Sequence, residues 1–391
     1  MRIDTRLSER VRKVNPSPTL AITAKAKKLK SEGKDVITFA AGEPDFDTPD
    51  IIKNAAIEAI NSGFTKYTPT TGIPELKSLI CEKFRKDNQV NYESKQIVVS
   101  CGAKHSIFDV MFVLVDKCDE VLIPSPYWVS YPEMVNLCEG IPRFIKTSAE
   151  NSFKMTADEL SKNISSKTKL LVLNSPSNPT GCVYTKEELA KIAEICVAKK
   201  ILVISDEIYE KIIFDGHKHT SIASFGKDIY ELTVTVNGLS KSHSMTGWRI
   251  GYLGGPEDIV NAISNFQDHS TSNPVSISQK AAVAALSMAD TFSKEMTQEF
   301  QKRRDYIVKR LQGLKKISYV LPLGAFYIFC DISKTKMDSL TFCTRLLDEL
   351  LIAAIPGVAF GNDDYVRLSF ATSPKQIEKG MDRLEGWLAK V

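Results

Sequence analysis

The sequence lacks the features that would assign it to a membrane, a secretory route or a common nucleotide site. No run approaches the roughly 18 consecutive apolar residues of a membrane-spanning helix. Residues 1–13 carry Arg, Glu and Asp in place of the apolar middle of a signal peptide. No Walker loop is present, and no G-x-G-x-x-G opens a helix. These absences predict a cytoplasmic protein that does not bind a membrane.

Cysteine is sparse, and its spacing argues against a structural metal. The chain has eight cysteines in 391 residues, and no two are arranged as C-x-x-C. We therefore expect mostly buried free thiols in a reducing compartment and no metal site. The net charge of +4 is small for this length, so it gives no reason to expect a nucleic-acid partner.

Short β-rich runs alternate with helical patterns through the middle of the sequence. A helix is predicted from Thr185 to Lys200, because Thr185 and Glu188 form a capping box. Such alternation predicts βαβ units and a mainly parallel sheet with helices on both faces. The predicted strands of this region are 96–100, 120–123, 169–173, 201–205 and 232–236.

The two ends of the sequence read differently, because they mix helices with short strands such as 325–330 and 365–370. We therefore expect a large central α/β domain and a smaller domain made from both termini. The predicted boundaries give an arm and part of the small domain at 1–45, the large domain at 46–290 and the C-terminal part of the small domain at 291–391.

Polar and aromatic residues follow each of the five central strands. Ligands of open parallel sheets bind beyond the carboxyl ends of the strands, so these residues should meet at one edge. Together they offer an amine, a carboxylate, an amide, aromatic rings and a helix start, which are the groups that pyridoxal phosphate requires. The five loops are Gly102–His105, Ser125–Trp128, Asn174–Gly181, Asp206–Tyr209 and Asn237–Lys241.

Specific motifs in and around these loops resemble a known family. The segment G-L-S-K-S-H-S-M-T-G-W-R-I-G, residues 238–251, matches the lysine-attachment pattern of class I aminotransferases at every position. Over residues 15–373 the chain resembles these enzymes, and most of all the bacterial aspartate aminotransferases of the subgroup that includes prephenate aminotransferases. Further matching motifs are N-P-T-G, S-D-E-I-Y, S-P-Y-W, Y-V-R-L-S, G-E-P-D-F and Y-T-P-T-T-G-I-P-E-L.

The resemblance implies an architecture, a cofactor and an assembly. It implies the pyridoxal-phosphate transferase fold type I, with a mainly parallel seven-stranded sheet flanked by helices and a smaller α+β domain. It also implies pyridoxal 5'-phosphate as the cofactor, and amino acids and 2-oxo acids as the substrates. The expected assembly is a homodimer with shared active sites.

The resemblance also implies roles around the cofactor ring. Lys241 would bind the cofactor covalently and afterwards move the proton on the substrate. Asp206 would pair with the pyridine nitrogen and keep it protonated. Asn178 and Tyr209 would hydrogen-bond the phenolic oxygen, and Trp128 would stack on the ring.

The cofactor phosphate would lie at the start of a helix. Gly102 and Ala103 precede Lys104 there, so their amides and the helix dipole would face the anion. The remaining phosphate ligands implied by the resemblance are Arg249, Ser240 and, from the neighbouring subunit, Tyr67. Some relatives have Ser where this chain has Gly238, so that one phosphate contact is absent or supplied by another group.

The substrate would be bound through its carboxylates. Arg367 would hold the α-carboxylate with its planar guanidinium, close to the backbone of Gly42 and to Trp128 and Asn178. In the subgroup resembled, residues at the positions of Lys104 and Thr19 contact the side-chain carboxylate. We therefore expect aspartate as amino donor and 2-oxoglutarate as acceptor.

Other activities share the same cofactor motifs. The alternatives are a bifunctional aspartate/prephenate aminotransferase, an aromatic or alanine aminotransferase, a β-lyase, and an inactive regulator with the same fold. The regulator is disfavoured, because the catalytic set is complete and no segment remains for a DNA-binding module. His105, His243 and Cys101 are read as structural neighbours without an assigned role.

Overall fold

The computed structural model describes residues 6–14 and 18–390, with the side chains of 18–21 left out of the description. Its helices are α1 (Glu9–Arg12), α2 (Pro18–Ser31), α3 (Asp50–Asn61), α4 (Pro74–Lys83), α5 (Ala103–Leu114), α6 (Ser130–Leu137), α7 (Ala157–Asn163), α8 (Lys186–Lys199), α9 (Lys227–Tyr230), α10 (Glu257–Ser270), α11 (Ser276–Ser287), α12 (Thr291–Leu311), α13 (Ser339–Leu350) and α14 (Pro374–Leu388). Its strands are β1 (Ile37–Thr38), β2 (Ile97–Ser100), β3 (Glu120–Ser125), β4 (Ile141–Lys146), β5 (Thr168–Asn174), β6 (Leu202–Asp206), β7 (Thr233–Gly238), β8 (Gly251–Gly254), β9 (Ser318–Tyr319), β10 (Tyr327–Asp331), β11 (Ile352–Ala353), β12 (Ile355–Pro356) and β13 (Tyr365–Ser369).

A seven-stranded sheet forms the centre of the molecule, in the order β2-β8-β7-β6-β5-β3-β4. Every neighbouring pair is parallel except the two pairs made by β8, which is antiparallel to β2 and to β7. The carboxyl ends of β2, β3, β5, β6 and β7 therefore lie at one edge. The predicted mainly parallel sheet and the fold type I architecture are confirmed.

Both faces of this sheet are buried against helices. Leu170 and Val172 of β5 belong to a cluster with residues of α5 and α10, while Leu171 and Leu173 belong to a cluster with residues of α8. This alternation follows from the period of two in a strand, which sends successive side chains to opposite faces. Burial on both faces explains why the central strands read as nearly continuous apolar runs.

The five predicted central strands are confirmed, with ends that differ by at most two residues, and the capping box of α8 is present. Two strands of the sheet are absent from the sequence prediction. β4 is an edge strand with exposed Arg143 and Phe144, and β8 contains two glycines in four residues. Neither has the alternating or branched pattern by which strands are recognised.

The two ends of the chain meet beside this sheet. β1 pairs in parallel with β11, where Ile37 lies opposite Ile352. A second sheet, β12-β13-β10-β9, packs with α12, α13 and α14 around one hydrophobic cluster. That cluster also includes Ile208 and Tyr209. The domain boundaries at 45 and 290 remain predictions.

None of the helices in the described residues is long and apolar enough to cross a membrane.

All eight cysteines are free thiols. Four of them are buried and Cys118 is exposed, so fewer cysteines are buried than the sequence predicts.

The cap of α8 gives a test of the local fold. Thr185 Oγ1 accepts the Glu188 N–H at 3.2 Å, and Glu188 Oε2 accepts the Thr185 N–H at 2.8 Å. Thr185→Ala should lower the free energy of unfolding by about 1 kcal/mol, because it removes a side-chain cap. Urea unfolding followed by circular dichroism measures this change. Thr185→Ser keeps the hydroxyl and should stay near the parent; equal midpoints for both variants would contradict the assignment.

Candidate active site

A cavity of about 550 Å³ opens at the carboxyl edge of the large sheet. Residues from the loops after the parallel strands meet there with residues from both ends of the chain. The sequence-predicted site residues that line it are Gly42, Ala103, Lys104, Trp128, Asn178, Asp206, Tyr209, Ser240, Lys241, Arg249 and Arg367.

Lys241 lies in the turn after β7, and its Nζ donates a hydrogen bond of 2.6 Å to the carbonyl of Gly42. Burial lowers the pKa of Lys241 to about 8. Glu43 raises this pKa, whereas the cations Arg367 and Arg249 lower it further. Lys241 therefore loses its proton far more readily than a surface lysine, which suits an amine that must act as a nucleophile.

Asp206 ends β6 and is buried, opposite Asn174 of β5 in the parallel register. Its Oδ2 accepts from Tyr131 Oη at 2.6 Å, and its Oδ1 accepts from the N–H of Ile208 at 3.2 Å. Burial raises the pKa of Asp206 to about 6, and these two hydrogen bonds limit the rise. Above that pH the carboxylate is ionised and can hold a protonated ring nitrogen.

Arg367 is a buried guanidinium contributed by β13. Its Nη1 donates to Asn178 Oδ1 at 2.9 Å, and its Nη2 donates to the carbonyl of Ala40 at 3.2 Å. Its Nε is buried without a hydrogen-bond partner among the described residues. The guanidinium also lies over the ring of Tyr327, 4.2 Å from its centroid, and Tyr327 Oη is 2.8 Å from Tyr209 Oη. A guanidinium held in this way, with further N–H groups on both Nη atoms, fits a carboxylate ligand.

The turn before α5 forms a cradle with Arg249. Gly102 has a φ of 98°, and a Cβ placed on it would lie 2.4 Å from Arg249 Nη2. Arg249 donates to the carbonyls of Thr246 at 2.8 Å and of Cys101 at 3.2 Å. The first N–H groups of a helix have no intrahelical partner, so the start of α5 and this cation together fit an anion such as a phosphate.

Lys104 lies in the first turn of α5, with its Nζ 4.9 Å from the centroid of the Trp128 ring. Burial and the neighbouring cation Arg249 both lower the pKa of Lys104. Trp128 in turn makes an edge contact with Tyr131, with centroids 5.2 Å apart. The cavity therefore has a cation beside an aromatic side chain.

The remaining predicted residues, Gly102, Tyr67 and Thr19, are not among the lining residues that the structure describes. Gly102 contacts it through Arg249. Tyr67 is 90% exposed and is not part of the cavity of its own chain. The backbone of Thr19 belongs to α2, but its side chain lies outside the described residues. Thr23, one turn later in the same helix, lines the cavity.

Several lining residues are missing from the sequence prediction, among them Tyr131, Tyr327 and Lys27. Tyr131 follows Trp128 by three residues, and the motif S-P-Y-W-V-S-Y could have indicated it as one turn further along a helix. Tyr327 reaches the cavity from β10 and Lys27 from α2. No local pattern marks those two, because both come from segments far from the central loops in sequence.

Residues 34–384 match the family described as aminotransferase class I and II. The chain belongs to this family. The resemblance drawn from the lysine-attachment segment is thus confirmed, and the protein is an aminotransferase. Enzymes of class I use pyridoxal phosphate, for which a cavity with a lysine, a buried carboxylate and an anion cradle is suited.

Relatives of this aminotransferase match it over nearly its whole length. Aspartate aminotransferase of Bacillus subtilis (strain 168) is 47% identical over 390 residues, which cover 98% of this chain and 99% of that protein. Aspartate/prephenate aminotransferase of Nitrosomonas europaea is 44% identical and covers 98% of this chain and 100% of that protein. The solved aspartate aminotransferase of Thermus thermophilus with maleate has a TM-score of 0.94 at 40% identity, with 98% of this chain and 99% of that chain covered.

The shifted pKa of Lys241 can be tested without any ligand. In the cofactor-free aminotransferase, acetylation of Lys241 by acetic anhydride should accelerate with pH and level off above about 8, because burial lowers its pKa to about 8. Peptide mass spectrometry separates this site from exposed Lys117, the internal reference. If the rate at Lys241 keeps rising to about pH 10, as for an ordinary lysine, the cavity does not favour the neutral amine.

Proposed function

We propose that the protein is an aspartate aminotransferase that transfers the amino group of L-aspartate to 2-oxoglutarate, giving oxaloacetate and L-glutamate. One observation carries the proposal: a single cavity contains Lys241, the buried carboxylate of Asp206 and two separate cations, Arg367 and Lys104. Two cations from different elements, β13 and α5, fit the two carboxylates of a dicarboxylic amino acid.

The residues of the cavity fit pyridoxal 5'-phosphate. The clearest sign is the cradle at Gly102, where any side chain would collide with Arg249, so that a cation lies directly against the start of α5. When bound, the cofactor would act as the sink for the electrons left on the substrate Cα. The residues we propose to hold it are Gly102, Ala103, Lys104, Trp128, Asn178, Asp206, Tyr209, Ser240, Lys241 and Arg249.

Arg367 would orient the substrate. Each Nη makes one hydrogen bond, to Asn178 and to Ala40, which holds the guanidinium in place, and the second N–H on each Nη would bind the α-carboxylate. Ala40 accepts from Arg367, and Gly42, two residues later, accepts from Lys241 Nζ, so one short segment links the two side chains. A carboxylate on Arg367 therefore places the substrate Cα near the amine that must act on it.

Lys241 would move the proton. Its Nζ is neutral in a large fraction near pH 8, because burial lowers its pKa, so it can accept the proton of the substrate Cα and return it elsewhere. Asp206 would hold the ring nitrogen of the cofactor with its negative charge. The hydrogen bond from Tyr131 fixes the Asp206 carboxylate. The burial of these groups excludes water, which strengthens each charge interaction.

The side-chain carboxylate would bind Lys104, with Thr19 as the expected second contact. Lys27 and Lys30 of α2 also line the cavity and are competing cations. Prephenate is another acidic keto acid and could use the same cation, in line with the aspartate/prephenate aminotransferase of Nitrosomonas europaea. Substrate choice thus depends on which of these lysines binds the distal carboxylate.

The active form we propose is a cytoplasmic homodimer. Ile51, Ile57 and Ile60 of α3 are each more than half exposed, and Tyr67 is 90% exposed. Exposed apolar side chains on one helix favour burial against a second copy. Tyr67 would then reach the phosphate site of that copy. The eight free thiols support a reducing compartment.

The donor specificity can be tested by a panel of amino acids mixed with the purified enzyme. Aspartate and glutamate should bleach the cofactor band near ~420 nm, an absorbance typical of the lysine-bound cofactor. Lys241→Ala should lose both the band and turnover. Lys104→Ala should lower kcat/KM for aspartate about 10- to 100-fold, the effect of losing one charged hydrogen bond, and should lower it much less for alanine, which has no side-chain carboxylate.

Two further variants keep this test specific. Lys117→Ala removes an exposed lysine outside the cavity and should behave as the parent. Lys27→Ala should have a smaller effect than Lys104→Ala. If Lys104→Ala leaves aspartate turnover intact while Lys27→Ala impairs it, the distal carboxylate binds α2 instead. A parent enzyme that reacts with aromatic donors and not with aspartate would overturn the proposed specificity.

A further inference from the structure

His105 supports the turn before α5, which forms the anion cradle together with Arg249. Its Nδ1 accepts a hydrogen bond from the Cys101 N–H at 3.4 Å. Its Nε2 lies 3.2 Å from Asp109 Oδ1. Because Nδ1 is an acceptor, the neutral ring carries its proton on Nε2, on the side of the carboxyl group. The ring thus links the turn to Asp109.

Asp109 is a fully buried carboxyl group with few partners. Its exposed fraction is 0%, and neither oxygen has a well-aligned hydrogen bond among the described residues. It stands four residues after His105 on α5, so both side chains share one helix face. Burial raises the pKa of Asp109 to about 8. An apolar side chain would pack here at lower cost, so the retained carboxyl group calls for an explanation.

The backbone of Cys101 is bound on both sides. Its N–H donates to His105 Nδ1, and its carbonyl, which belongs to the next peptide group, accepts from Arg249 Nη2 at 3.2 Å. The N-cap of α5, Gly102, follows with its φ of 98°. The conformation of Cys101 therefore relates the peptide held by His105 to the next peptide, which binds Arg249 and leads into α5.

We propose that His105 and Asp109 are positioning residues for the cofactor phosphate. They fix the backbone at Cys101, so that the start of α5 and Arg249 face the same anion. Neither side chain lines the cavity, so they act through the turn and not by contact. This inference rests on the proposed use of pyridoxal phosphate.

The test compares two probes, pyridoxal phosphate and pyridoxal, which lacks the phosphate. Both are titrated into cofactor-depleted protein, and binding is followed by absorbance. His105→Leu removes the acceptor for the Cys101 N–H and should raise the Kd for pyridoxal phosphate about tenfold, as for a lost hydrogen bond. The Kd for pyridoxal should stay within about twofold, because the ring site is unchanged. His105→Asn places an oxygen near the position of Nδ1 and should restore most of the affinity.

Further variants separate positioning from folding. His105→Gln is polar but lacks an acceptor at the Nδ1 position, so it should behave as His105→Leu and replaces it if the latter is unfolded. Asp109→Leu should weaken pyridoxal phosphate selectively, and Asp109→Asn should weaken it less. His217→Leu, at an exposed histidine away from the cavity, is the matched control.

The outcomes distinguish this inference from the proposed function. Equal weakening of both probes, or no weakening of either in the His105 and Asp109 variants, would overturn the positioning role while the parent still binds cofactor. A parent protein that binds neither probe would overturn the proposed function, and the inference with it. Selective loss of the phosphate-bearing probe supports the positioning role.

Discussion

The cavity depends on charged side chains that are buried without a full set of hydrogen-bond partners. Burial drives the pKa of Lys241 down and that of Asp206 up, and it leaves Nε of Arg367 without a hydrogen bond. Each of these groups opposes folding, because desolvation of a polar group is unfavourable until it finds a partner. The apolar clusters on both faces of the large sheet must offset that cost. A ligand that brings complementary charges regains the interactions that water would otherwise supply.

The site residues that lie in loops directly after strands could be predicted from the sequence. Lys241, Asp206 and Asn178 each stand in a loop after an apolar run, and parallel strands necessarily bring such loops to one edge. Arg367 and Gly42 lie in the terminal parts of the chain. Their place in the cavity depends on long-range pairing that no local pattern records, so only the resemblance to a family indicated them.

Features that depend on backbone conformation could not be predicted. The close approach of Gly102 to Arg249 requires a φ of 98° at one residue and 53° at the other, which their residue types permit but do not specify. β8 is antiparallel to its neighbours β2 and β7, and no sequence pattern indicates this direction. His105 and Asp109 share a helical face by their spacing, yet only the fold shows that the face is buried beneath the cradle.

The pairing of β1 with β11 affects the order in which parts of the molecule can fold. Ile37 and Ile352 are more than 300 positions apart in the chain, and contacts between such distant residues form slowly. During synthesis, β2 through β8 leave the ribosome long before β11 and β13 exist. The carbonyl of Ala40 cannot meet Arg367 until then. A nascent chain can thus form the turns around Gly102 and Lys241 first, whereas the hydrogen bond that holds Arg367 to Ala40 forms only after the last quarter of the chain has been made.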